Sequence, residues 1–109
     1  MKNEHLLVIT TCPDRTTAEA VADKLVDANL AACINIIPNV TSIYEWKGCR
    51  ESGTELILLI KTRSSLYNEI ERKIVELHPY ELPEVLAVSI KNGLAGYLSW
   101  IDESTSTVE

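Results

Sequence analysis

The spacing of apolar residues changes period several times along the chain, and each change predicts an element. Leu6 to Ile9 is an unbroken aliphatic run followed by two threonines, Cys12 and then Pro13-Asp14, which predicts a strand over Leu6 to Cys12 that stops at a helix entry. From Thr16 to Ala28, Ala18, Val21, Ala22 and Leu25 fall at i, i+3, i+4 and i+7. Glu19, Asp23, Lys24 and Asp27 take the other side, the signature of an amphipathic helix. Ala31 to Ile37 and Val40 to Trp46 are rich in strand formers, with Pro38-Asn39 between them, so one long strand with a proline bulge is expected. Gly48 and Gly53 bracket a polar turn, and Glu55 to Thr62 forms the second arm of a hairpin.

Ser64 and Ser65 are suited to cap a helix over Leu66 to His78, which carries Leu66, Ile70, Ile74 and Leu77 on one stripe and ends at Pro79. Val85 to Lys91 is the last main strand. After an Asn92-Gly93 turn, Leu94 to Asp102 is a short closing helix with Tyr97, Leu98 and Trp100. The polar tail from Glu103 to Glu109 is expected to fray. The order is βαββαβ plus a C-terminal helix. Right-handed crossovers put both main helices on one side of a four-stranded sheet, an α+β ferredoxin-like sandwich forming one domain over residues 1–109, ordered over about 5–102.

With helices on one face only, the other face should be polar. Instead Leu6 and Val8 oppose Leu7 and Ile9, Leu56, Leu58 and Ile60 oppose Ile57 and Leu59, and Leu86, Val88 and Ile90 oppose Val85 and Ala87. An uncovered sheet of that kind exceeds the apolar surface that soluble monomers tolerate, so a second copy of the chain is the expected cover. Tyr44 and Trp46 share one face of the hairpin and are too large to leave in water, which suggests that the hairpin reaches a neighbouring subunit.

Composition narrows the possibilities. At 109 residues with 46% apolar residues the chain has enough material for one core and none for a second domain. A net charge of -6 argues against nucleic acid as a partner. The longest purely apolar run, Leu56 to Ile60, is far shorter than the roughly 20 residues of a membrane span, and the N-terminus has no signal-peptide pattern. Three cysteines, an odd number without the density of a secreted scaffold, suit a reducing cytoplasm.

No glycine-rich phosphate loop, paired C-x-x-C, H-E-x-x-H or G-x-S-x-G is present. Cys12, between a strand and a helix and near Arg15, is the best hint of an enzyme, since a helix N-terminus and an arginine favour a thiolate. Against it stand a packed or merely exposed thiol. Cys33, in Ala31-Ala32-Cys33-Ile34, reads as core, and Cys49 as an exposed turn residue. His78 suits the C-terminal end of its helix dipole and remains open as a ligand, while His5 reads as solvated.

Asn29-Leu30-Ala31-Ala32-Cys33-Ile34-Asn35-Ile36-Ile37-Pro38 and Thr41-Ser42-Ile43-Tyr44-Glu45-Trp46-Lys47-Gly48 strongly resemble the CutA family of divalent-cation tolerance proteins. Glu51, Glu55, Lys61-Thr62, His78-Pro79-Tyr80, Leu82-Pro83-Glu84 and Tyr97-Leu98-Ser99-Trp100 continue the pattern. The resemblance implies a ferredoxin-like subunit in a tight homotrimer, similar in build to the PII signalling proteins. It also implies a non-enzymatic role in copper and divalent-metal tolerance. The family's copper pattern has a cysteine at the end of the first strand and a histidine pair before Pro-Tyr. Thr10 and Leu77 replace two of these here, leaving His78, with Cys12 two residues beyond Thr10 on the same strand face. Weak copper binding at His78 and Cys12 is one expectation. A signalling module with a small ligand or partner protein in inter-subunit clefts, lined by Trp46, Lys61, Tyr80, Glu84 and Trp100, is a second. A thiol enzyme using Cys12 is a third.

Overall fold

The computed structural model describes residues 4–106. Strand β1 (His5–Cys12) leads into helix α1 (Arg15–Asp27), strands β2 (Cys33–Trp46) and β3 (Cys49–Arg63), and a 3-10 turn over Ser64–Leu66. Helix α2 (Tyr67–Leu77), strand β4 (Val85–Ser89) and helix α3 (Ala95–Ser104) follow. The four strands form one antiparallel sheet in the order β2-β3-β1-β4, the expected ferredoxin-like plan.

Local chemistry explains the junctions. Asp14 caps α1 by accepting a hydrogen bond from the Thr17 amide at 2.8 Å, a contact that holds its carboxyl below the ordinary range. The helix closes with Asn29 at a φ of 61°, a left-handed conformation that asparagine tolerates. Pro38 lies in β2, which is an edge strand, where its missing N–H costs no ladder bond. The register shifts between Ile37 and Val40, as the proline bulge requires. The hairpin turn is tighter than the glycine spacing suggests. Lys47 and Gly48 both have positive φ, closing a two-residue turn, and Gly53 lies inside β3 opposite Ser42.

Strand alternation sorts the side chains into two faces. Val8, Thr10 and Cys12 of β1 and Leu56, Leu58, Ile60 and Thr62 of β3 face the helices, packing with Ala18, Val21 and Leu25 of α1 and Ile70 and Ile74 of α2. The other face carries Leu7 and Ile9, Ile57 and Leu59, Ile37, Leu86 and Val88, with Ile37, Leu86 and Val88 exposed at 42%, 56% and 49%. Cys33 pairs with Lys61 on this second face and is half-buried, so it does not belong to the core. Leu77 turns outward from its expected stripe. The helix caps fall at Arg63 and Leu66, without a side-chain cap bond at either.

Two further features involve the end of the chain, and the first corrects an expectation. His5 is not a solvated residue ahead of the first strand: it opens β1, and its Nε2 lies 2.9 Å from Asp102 of α3. In the stretch expected to fray, α3 continues to Ser104, Arg63 donates to the Thr105 hydroxyl at 2.8 Å and to its carbonyl at 2.9 Å, and Thr105 is buried. The remainder of the expected tail, 107–109, lies outside the described residues. These contacts dock α3 over one end of the open face. Replacing Arg63 with alanine removes a charge-assisted pair of hydrogen bonds, so exchange of the last α3 amides should accelerate about tenfold or more while the helix-face core stays protected. Native-state hydrogen exchange measures both.

Candidate functional site

At the opposite end of the open face lies a cleft of about 520 Å³. Its walls come from the hairpin (Ser42, Ile43, Tyr44, Trp46), the end of β1 (Thr11), Glu55 of β3, and the segment joining α2 to β4 (Tyr80, Glu81, Leu82, Glu84). Glu55 shares its strand face with Ile57 and Leu59 and is only 7% exposed. Its carboxylate accepts one bond from the Ser42 hydroxyl and another, at 2.6 Å, from the Tyr80 hydroxyl. Burial, and then Glu55 as hydrogen-bond acceptor and neighbouring charge, push the Tyr80 hydroxyl well above the ordinary tyrosine range.

Tyr80 is in turn held by His78. The Tyr80 amide donates to His78 Nδ1 at 3.2 Å, and the two rings lie 4.6 Å apart. An Nδ1 that accepts leaves the ring hydrogen on Nε2, which donates to the Thr11 carbonyl at 2.6 Å. A continuous chain of hydrogen bonds thus runs from β1 through the His78-Pro79-Tyr80 segment to β3 and β2. His78 sits just past the last turn of α2, and its ring points into this chain instead of capping the helix.

The residues expected in an inter-subunit cleft divide into two groups within the single subunit. Trp46, Tyr80 and Glu84 line it together. Lys61 and Trp100 do not line this cavity: Lys61 lies on the open face with Asn35 and 3.9 Å from the Cys33 sulfur, and Trp100 of α3 lies against Tyr97 with ring centroids 5.4 Å apart. Glu55, Ser42 and Thr11 are the additions. A charged residue placed in the same alternating row as Ile57 and Leu59 was the signal available for Glu55.

Cys12 is fully buried on the helix face, next to Thr10, whose buried hydroxyl has no hydrogen-bond partner among the described residues. Burial, then the charges of Asp14 and Glu55, push the Cys12 thiol up from 9.0 to about 11. Burial and these neighbouring charges disfavour the thiolate that a thiol enzyme needs. As a metal-ligand pair, His78 and Cys12 offer no open donor in this conformation. Both imidazole nitrogens are engaged and the thiol keeps its proton. Among the described residues no cluster of three or more His, Cys, Asp or Glu side chains is arranged to hold a metal ion.

Because the folded thiol binds its proton more tightly than the unfolded one, Cys12 contributes stability that is complete below pH 9 and is lost as pH rises toward 11. Urea unfolding of the parent and Cys12→Ala across that range should show the parent alone losing this increment. At pH 8 a thiol reagent should modify exposed Cys49 readily and Cys12 only after unfolding.

The CutA1 divalent ion tolerance protein family model matches residues 6–104. A CutA homolog of Xenopus laevis is 47% identical over 85% of this chain, which spans 62% of that relative's length. The divalent-cation tolerance protein CutA of Thermus thermophilus is 40% identical over 91% of this chain and 96% of its own. Among solved structures, CutA1 of the psychrotrophic bacterium Shewanella sp. SIB1 superposes with a TM-score of 0.94 at 40% identity, covering 98% of this chain and all of that one. With the ferredoxin-like topology and the His78-Pro79-Tyr80 segment in place, the chain belongs to the CutA1 divalent-ion tolerance family.

Proposed function

We propose that this chain is the subunit of a cytoplasmic, non-enzymatic homotrimer that serves divalent-cation tolerance. The observation that carries the reading is the open sheet face, where Ile37, Leu86 and Val88 extend a half-buried apolar row through Leu7, Ile9, Ile57 and Leu59. Contiguous apolar surface of this kind is covered in soluble proteins, and copies of the same chain cover it by closed symmetry. The family resemblance supports three copies. The far part of the β2–β3 hairpin pairs only with itself and gives the subunit its 46 Å long axis, a shape suited to reaching a neighbour. Three free cysteines suit a reducing compartment. No helix among the described residues is long and apolar enough to cross a membrane.

Sedimentation equilibrium tests the assembly. The parent is expected at three chain masses down to micromolar concentration, and Ile57→Asp, in the middle of the open face, is expected to dissociate or unfold it. A parent that stays at one chain mass refutes the reading.

Copper belongs to this proposal as a weakly held cargo of His78 and Cys12. Imidazole and thiolate favour copper, above all its reduced form, over magnesium or calcium. Binding must displace the Tyr80 amide from Nδ1 and the proton from a thiol titrating near 11, so affinity is modest and rises with pH as protons are released. In competition with a chelator of known copper affinity, His78→Ala and Cys12→Ser should each weaken binding severalfold. Both residues are buried, so each variant's unfolding midpoint is measured alongside. Copper bound equally by parent and both variants refutes this site.

A second reading, favoured by the cleft itself, is a signalling module of PII-like build that takes a small ligand there. Its volume lies in the range of small-molecule sites.

A further inference from the structure

The cleft is charged in one sense only. Glu55, Glu81 and Glu84 line it, and no cationic side chain does so among the described residues. A nearly buried carboxylate is costly unless its charge is met, and the partners of Glu55 are two neutral hydroxyls, those of Ser42 and Tyr80. Its field reaches the neighbouring acids: after burial, and for Cys12 after Asp14 as well, the Glu55 charge helps hold Tyr80 and Cys12 protonated.

The walls add a second kind of attraction for positive charge. Trp46, Tyr44 and Tyr80 border the cavity, and aromatic faces bind ammonium groups through the ring quadrupole. The chain displays this at the rim. Lys47, fixed by its place in the hairpin turn, folds back so that its ammonium lies 5.6 Å from the Trp46 ring and 3.6 Å from Glu81. A primary ammonium already rests on the arrangement of aromatic ring and carboxylate that continues inward to Glu55.

A divalent ion fits this cavity poorly, since hard cations need several oxygen donors converging at short range and no such cluster is present among the described residues. A bare monovalent ion leaves most of the volume and all of the aromatic surface unused. We infer that the cleft binds a small organic cation, an amine or quaternary ammonium compound, with Glu55 as its buried counter-charge and Trp46, Tyr44 and Tyr80 as its walls. The inference rests on the small-ligand reading of the cleft and names the class of ligand; it is independent of copper binding.

The test uses the full chain with Trp100→Phe, which leaves Trp46 as the only indole of the two in the sequence. Choline is titrated against its uncharged carbon isostere 3,3-dimethylbutanol, with glutarate and inorganic phosphate as anionic probes. Trp46 fluorescence and calorimetry are the readouts. Choline is expected to bind saturably at micromolar to millimolar concentration, and the isostere at least about tenfold more weakly. Glu55→Gln, nearly isosteric, should lose at least about tenfold in choline affinity, and Lys47→Gln should gain a few-fold by removing a tethered competitor. Sedimentation of each variant accompanies the titration, and Trp46→Leu, read by calorimetry, provides a variant that leaves Glu55 in place and should also bind choline less.

Equal binding of choline and its isostere, or of parent and a folded Glu55→Gln, overturns the inference. Saturable binding of an anionic probe without choline overturns it while leaving the cleft as a ligand site. No binding by any probe removes both the inference and the small-ligand reading. If the parent binds no choline and Glu55→Gln dissociates the assembly, Glu55 is a subunit contact, and the inference is likewise overturned.

Discussion

Strand β3 is apolar on both sides, and the rest of the molecule is arranged around that constraint. Leu56, Leu58 and Ile60 meet α1 and α2, while Ile57 and Leu59 look the other way onto a face with no helix layer. Burial is non-directional and roughly proportional to area, so it drives both faces of the sheet toward a cover without specifying what the cover is. Direction comes from polar groups at the two ends of the open face. Arg63 and His5 fasten α3 at one end, and Glu55 with Ser42, Tyr80 and His78 ties the α2–β4 segment down at the other.

Charge is distributed with the same economy. The carboxylate of Glu55 sits in an apolar row, yet it receives two hydroxyl hydrogen bonds and joins strands that the sheet ladder alone would leave untied to the loop. Burial first, and the same carboxylate after it, with Asp14 also acting on Cys12, raise the pH at which Tyr80 and Cys12 ionise. Loop position follows in part from this one residue, while burial is the larger cause of the raised Tyr80 and Cys12 values.

Much of this architecture was legible in periodicity. Ala18, Val21 and Leu25, and likewise Ile70 and Ile74, fall on helical stripes because each faces a layer of strands, and the Pro38-Asn39 bulge announces itself by a residue that cannot donate. Periodicity cannot report long-range polar pairing. Arg63 and Thr105 are separated by 42 residues and His5 and Asp102 by 97, so the docking of α3 left no local pattern. Within one subunit Trp46, Tyr80 and Glu84 line one cavity, while Lys61 and Trp100 lie apart from it, since which residues of a single chain meet depends on which end of a strand they occupy. Cys12 shows the opposite failure. Its sequence neighbours suggest activation, and its depth reverses that.

The α2–β4 segment carries Pro79 and Pro83 and is pinned by hydrogen bonds from both His78 and Tyr80. Prolines reduce the freedom such a segment has before it is folded, and the bonds remove what is left afterwards. The small cation proposed for the cleft would therefore meet a wall already in position, with little ordering entropy to lose on arrival. Occupancy of such a preformed surface by that cation would need no slow closing step, and its arrival would be steered by the negative charge of the cleft.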